Sequence, residues 1–125
     1  MKHLAFLFLA VILAACSTFE DDEIIYTIPV EAISVKNSSN LTIEFIASNS
    51  CGSMCWERTY FERTINGKNI FIKLFAVADG STACPDVCVN VEVPISINLP
   101  SSDSFTFHFW KSDTSSIDTT LIVGL

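Results

Sequence analysis

From Ile24 onward apolar and polar residues alternate with a period of two, and no segment longer than about ten residues carries the 3.6-residue period of a helix. The longest case sets Val87, Val89, Val91, Val93, Ile95, Ile97 and Leu99 against Cys88, Asn90, Glu92, Pro94, Ser96, Asn98 and Pro100. Such alternation buries one face of a strand and leaves the other wet or at an edge. Pro94 cannot donate to a ladder, so it marks an edge position or a bend between sheets. Leu41, Ile43, Phe45 and Ala47 repeat the pattern, as do Phe105, Phe107 and Phe109. Ile24 to Val35, interrupted at Pro29, and Ile117 to Val123 are further candidate strands.

Between Trp56 and Val77 lies one explicit hairpin signal, Asn66-Gly67, which suits a two-residue type I′ turn. Pairing Ile65 with Lys68 then sets Phe61 opposite Ile72, Tyr60 opposite Lys73, Glu62 opposite Phe71 and Trp56 opposite Val77. The expected core face carries Phe61, Ile65, Ile70, Ile72, Leu74 and Ala76, with Arg63 and Lys68 near the turn. The opposite face mixes aromatics and charges: Trp56, Arg58, Tyr60, Glu62, Phe71, Lys73 and Phe75. We expect a loop to cover it, with the long side chains snorkelling; the alternative is a partly exposed contact surface.

Seven or eight short strands separated by turn residues predict an all-β chain folded as an antiparallel β-sandwich. The chain resembles immunoglobulin-like sandwiches at this architectural level only, because their order and spacing of Cys, Trp and Cys is missing. That resemblance implies a shape and no function.

The first fifteen residues do not follow the strand pattern. Met1-Lys2-His3 is a short basic start, Leu4 to Leu13 is unbroken apolar sequence, and Ala14-Ala15 are small. Ten residues make only about 15 Å of helix, half the thickness of a bilayer core, so the run reads as a signal-peptide core. Leu13-Ala14-Ala15-Cys16 resembles the lipobox of bacterial lipoproteins. The resemblance implies cleavage before Cys16 and acylation of its thiol, with more than one chain giving stable anchoring. It divides the chain into a signal peptide (1–15), an acidic tether (16–23) and a β-sandwich domain (24–125). The run Glu20-Asp21-Asp22-Glu23 would repel anionic headgroups and hold the domain off the bilayer. It also resembles acidic stretches on surface lipoproteins of the Bacteroidetes group. Ser17 after the Cys, under the family's sorting rule, implies the outer membrane.

Composition narrows the function. The whole chain of 125 residues has Lys+Arg 7 against Asp+Glu 14, a net charge of -7. Loss of residues 1–15 takes one lysine with it and makes the mature charge -8. Scattered basic residues among twice as many acids exclude a nucleic-acid partner; the membrane, reached through lipid, and a protein or glycan remain.

With Cys16 assigned to lipid, Cys51, Cys55, Cys84 and Cys88 remain. An even number in a small exported domain points to disulfides, and three pairings exist. The hairpin register carries both Cys segments to its open end, which favours Cys51 to Cys88 and Cys55 to Cys84 over two local bridges. The competing reading is copper or thiol-redox chemistry. Cys84-Pro85-Asp86-Val87-Cys88 resembles the C-P-D-x-C segment of Sco-type copper proteins, in which two thiolates and a distant His hold the metal on a thioredoxin-like fold. No helix pattern follows Cys88, and the one mature histidine, His108, lies in a strand beside Trp110.

Enzymatic chemistry finds no support. No Ser occupies a Gly-x-Ser-x-Gly context, and the four glycines at 52, 67, 80 and 124 build no phosphate loop. The strand carboxylates Glu31, Glu44, Glu57, Glu62 and Glu92 are not paired by any sequence feature. We therefore expect no catalytic, cofactor-binding or metal residues, and a lipid-anchored binding or structural module of the cell envelope.

Overall fold

The computed structural model describes residues 23–81 and 83–124; the expected signal peptide (1–15), Cys16 and the expected tether through residue 22 lie outside the described residues. The elements are β1 (Glu23–Ile28), β2 (Ala32–Ser39), β3 (Thr42–Ser53), β4 (Trp56–Asn66), β5 (Asn69–Asp79), β6 (Cys88–Asn98), β7 (Asp103–Ser112) and β8 (Ser115–Val123), with no helix among the described residues. They form two sheets, one of β2, β3 and β6, the other of β1, β4, β5, β7 and β8. The chain is a β-sandwich, as the alternation predicts.

Strand β5 organises the larger sheet. Strand β4 pairs with one edge along its length, and the other edge is shared: β7 takes Asn69–Ile72 and β1 takes Leu74–Asp79. The β5–β7 pairing is parallel, which departs from the all-antiparallel expectation. A parallel pair needs a long connection, and here β6 in the opposite sheet supplies it.

The alternating residues meet between the sheets. Ile70, Ile72, Leu74, Phe105, Phe107 and Phe109 face Ile43, Phe45, Val93, Ile95 and Ile97, all essentially buried. The Phe45 ring lies edge-on to Phe107 and Phe109, with centroids 4.9 and 5.1 Å away, the geometry that aligns a ring's positive edge with its neighbour's negative face. Pro94 sits exposed on β6, an edge strand, where its missing N–H costs no ladder bond.

Pro29 marks where the chain changes sheets between β1 and β2. Val30 N–H donates to the Trp110 carbonyl in one sheet, and Glu31 N–H to the Ser48 carbonyl in the other. The buried Asn49 holds this crossing: its Nδ2 donates to the Pro29 carbonyl, and its Oδ1 accepts from Cys51 N–H, both at 2.7 Å. That second bond falls where β3 bulges between Asn49 and Gly52.

The β4–β5 hairpin forms, two residues away from the expected register. Ile65 pairs with Ile70 and Asn66 with Asn69, so the turn residues are Gly67 and Lys68. Gly67 has φ 60° while Asn66 and Lys68 stay out of the left-handed region, the pattern of a type II′ turn. This register places Glu62 beside Lys73, Tyr60 beside Phe75 and Ile65 beside Ile70, opposite-charge, aromatic and aliphatic cross-strand pairs that the expected one forgoes. A shift of two leaves each side chain on its face, so Ile70, Ile72, Leu74 and Ala76 are buried as expected, whereas Phe61 is only partly buried and Ile65, next to the turn, is exposed. Trp56 differs. A bulge between Trp56 and Arg58 turns its ring inward, where it packs against the core and lies 6.4 Å from Tyr26.

Candidate functional site

Around Phe71, Lys73 and Trp110 the outer face of the larger sheet is lined by its own side chains and, among the described residues, is not covered by a loop. Along one row the Tyr60 and Phe75 rings stack at 5.1 Å, and Arg58 lies over Tyr60 at 5.6 Å. Lys73 extends from Phe75, at 6.0 Å, to Trp110, at 5.1 Å. In the next row Phe71 stacks on His108, its registered partner on β7, with centroids 4.8 Å apart. Phe71 nevertheless stays 47% exposed among the described residues.

Hydrogen bonds fix the second row. His108 Nδ1–H donates to Asp118 Oδ1 at 2.8 Å, and Nε2 lies 2.9 Å from Asn69 Oδ1. The same Asp118 oxygen accepts from Ser116 Oγ at 2.6 Å. The Ser116 hydroxyl and then His108 favour the charged carboxylate and hold Asp118 below the usual range.

Above these rows lies an open trough of about 640 Å³, bounded by Glu62, Phe71, Lys73, His108, Trp110 and the turn from Ser112 to Ser116. Its position has a structural cause. Pairing of β5 with β7 ends at Ile72 and pairing with β1 begins at Leu74, so Lys73 stands where β5 exchanges one neighbour for another. Beyond Phe109, β7 continues to Trp110 and a bulge before Ser112, and the Ser112–Ser115 pair closes the trough with a 2.7 Å hydroxyl contact.

The cysteines occupy a different region. Cys51 is bonded to Cys88 and Cys55 to Cys84, the expected inter-segment pairing. Both bridges line a second cleft of about 440 Å³ beside Trp56 and the start of β1. Cys84 and Cys88 therefore belong to separate bridges and do not form the dithiol of a C-P-D-x-C copper site. Both His108 ring nitrogens are engaged in the trough. Among the described residues no group of three or more His, Cys, Asp or Glu side chains could hold a metal ion.

Of the strand carboxylates, Glu62 lies in the trough and Glu31 closes the sheet crossing by accepting Ser50 N–H at 2.7 Å. Hydrogen bonds from the Ser50 side chain and then its backbone hold the Glu31 carboxyl below its ordinary range. Apart from its position, two residues beyond an outward-facing Trp, nothing in the sequence marks the Ser112 to Ser116 wall, because a hydroxyl-rich turn reads as a connector.

Fold and site together define an extended β-sandwich module with an aromatic and polar trough on one sheet face. No family model, curated protein or solved structure matches the chain.

Proposed function

We propose that this chain is a lipid-anchored, exported module of the bacterial envelope, attached to the outer membrane through Cys16, that binds a partner without catalysis through the outer face of its larger sheet. The observation that carries the binding role is the trough with Trp110 and the half-exposed Phe71 at its floor and wall. A half-exposed ring beside a trough edged by polar groups is the kind of surface that marks a contact site. The lipobox-like Leu13-Ala14-Ala15-Cys16 supports the anchor, and two disulfides suit an oxidising compartment outside the cytoplasm.

Anchoring and binding are tested separately. Cys16→Ala should release the chain from the membrane fraction; a variant that still partitions with membranes in detergent overturns the anchor. A photoreactive residue at position 71, activated in intact cells, should trap a partner. A chain that traps nothing at 71 overturns the binding face.

A further inference from the structure

We infer that the trough takes a neutral oligosaccharide, a deepening that rests on the binding role proposed for this face. A sugar ring has two C–H faces that lie on aromatic rings and a rim of hydroxyls that both donate and accept. The trough offers both parts at once. Phe71, stacked on His108 by one face, supplies exposed ring surface and Trp110, beneath the Lys73 ammonium, a partly covered one, and Lys73, Glu62, Asp118 and the hydroxyls of Ser112 to Ser116 surround them with donors and acceptors.

Charge selects among glycans. Glu62, Asp113 and Asp118 line the trough against the single ammonium of Lys73, and that ammonium already lies over the rings of Phe75 and Trp110. Sulfated or uronic-acid sugars would meet excess negative charge, whereas neutral sugars would not. Other ligand classes fit worse. A peptide that recognises main chain needs an open strand edge, and the floor strands β5 and β7 lie inside the sheet. An acyl chain needs an apolar enclosure, and this trough is open and bordered by carboxylates.

The site is also built before ligand arrives. The Phe71–His108 stack, the His108–Asp118 bond and the Ser116–Asp118 bond hold the wall in one arrangement, which lowers the ordering cost of binding. A volume of about 640 Å³ falls within the range of roughly 300–1,000 Å³ of small-ligand clefts, with room for more than one sugar ring.

The test uses the full chain in a sugar-free detergent, titrated by calorimetry with four neutral tetrasaccharides: β-1,4-linked glucose, β-1,4-linked N-acetylglucosamine, β-1,4-linked mannose and α-1,4-linked glucose. A tetragalacturonate is the acidic control. At least one neutral tetrasaccharide should bind with Kd below about 1 mM. Trp110→Ala should weaken it about ten-fold and Phe71→Ala about five-fold, while Trp110→Phe stays within about three-fold. Phe71 is exposed, so its variant keeps the fold intact and guards against unfolding as the cause of any loss. No neutral binding, preference for tetragalacturonate, or unchanged affinity in folded Trp110→Ala and Phe71→Ala overturns the proposal. Adducts from the position-71 crosslink separate the two levels. A protein adduct alone overturns the glycan and leaves the binding face standing, whereas the absence of any adduct removes both.

Discussion

Replacing the bridged cysteines pairwise with alanine should reveal that the two disulfides are nested. Cys51–Cys88 spans 37 residues and Cys55–Cys84 spans 29. Each alone would constrain the unfolded chain by about 3.8 and 3.6 kcal/mol respectively, on the chain-entropy relation. Together they share a loop. With the inner bridge in place the outer one closes only two four-residue arms, an effective loop of about ten residues worth roughly 2.7 kcal/mol. Losing either bridge should therefore cost about 2.5–3 kcal/mol and losing both about 6, so the second loss exceeds the first by about 1 kcal/mol. Cys51, Cys84 and Cys88 are exposed, so little packing is lost with them. Urea unfolding of the wild type and the three variants gives these differences, and thiol titration of the unreduced proteins gives an independent check. Cys51→Ala with Cys88→Ala must leave no free thiol. If that variant shows two reactive thiols, or if it costs as much as the four-fold variant, Cys55 is not bonded to Cys84, the pairing is one of the other two, and nesting is refuted.

Asn49→Ala strands the Pro29 carbonyl and the Cys51 N–H at a buried position, at a cost of about 2–3 kcal/mol in urea unfolding; a change below about 0.5 kcal/mol would show the crossing holds itself. Gly52→Ala places a Cβ into the Val91 side chain and 2.8 Å from Trp56 Cζ3, so we expect a loss of about 1–3 kcal/mol with a change in Trp56 fluorescence; unaltered stability and emission would contradict the close approach. For Asp118 the folded pKa lies below the ordinary 3.8. Its hydrogen bonds therefore contribute above that value and are lost as pH falls through the lower, folded one. Ser116→Ala should raise the Asp118 midpoint toward 3.8 in a carboxyl NMR titration, and an unmoved midpoint would remove Ser116 as the principal cause.

The two strongest local patterns in the sequence led directly to the core. Phe105, Phe107 and Phe109, and Val93, Ile95 and Ile97, are all buried, because period-two alternation over a long run has only one way to hide its apolar side. The bridge pairing was also legible, even from a register two residues off, since it requires only that both Cys segments reach the open end of one hairpin. The turn itself was not. Asn66-Gly67 and Gly67-Lys68 both satisfy local turn chemistry, and cross-strand pairing of Glu62 with Lys73 and Tyr60 with Phe75 decides between them. Trp56 was misplaced because a one-residue bulge reverses a side chain without leaving a mark in the pattern. The trough depends on a parallel contact between strands more than thirty residues apart, and nothing along the chain encodes which strand lies beside which. Its aromatic and charged residues were visible on one face of the hairpin, but its other half, on β7 and β8, came from topology.

Sharing one edge of β5 between β1 and β7 also sets how the domain meets mechanical force. From Glu23, β1 runs antiparallel to β5 through six registered pairs. A pull applied at Glu23 along the strand axis would load the β1–β5 ladder in shear, with its hydrogen bonds strained together, and would not unzip it one pair at a time. Whatever is held over Phe71 and Trp110 is joined to that ladder through β5 without leaving the sheet. Tension between Glu23 and the trough would thus pass first through the larger sheet, with the Pro29 crossing as its link to the smaller one.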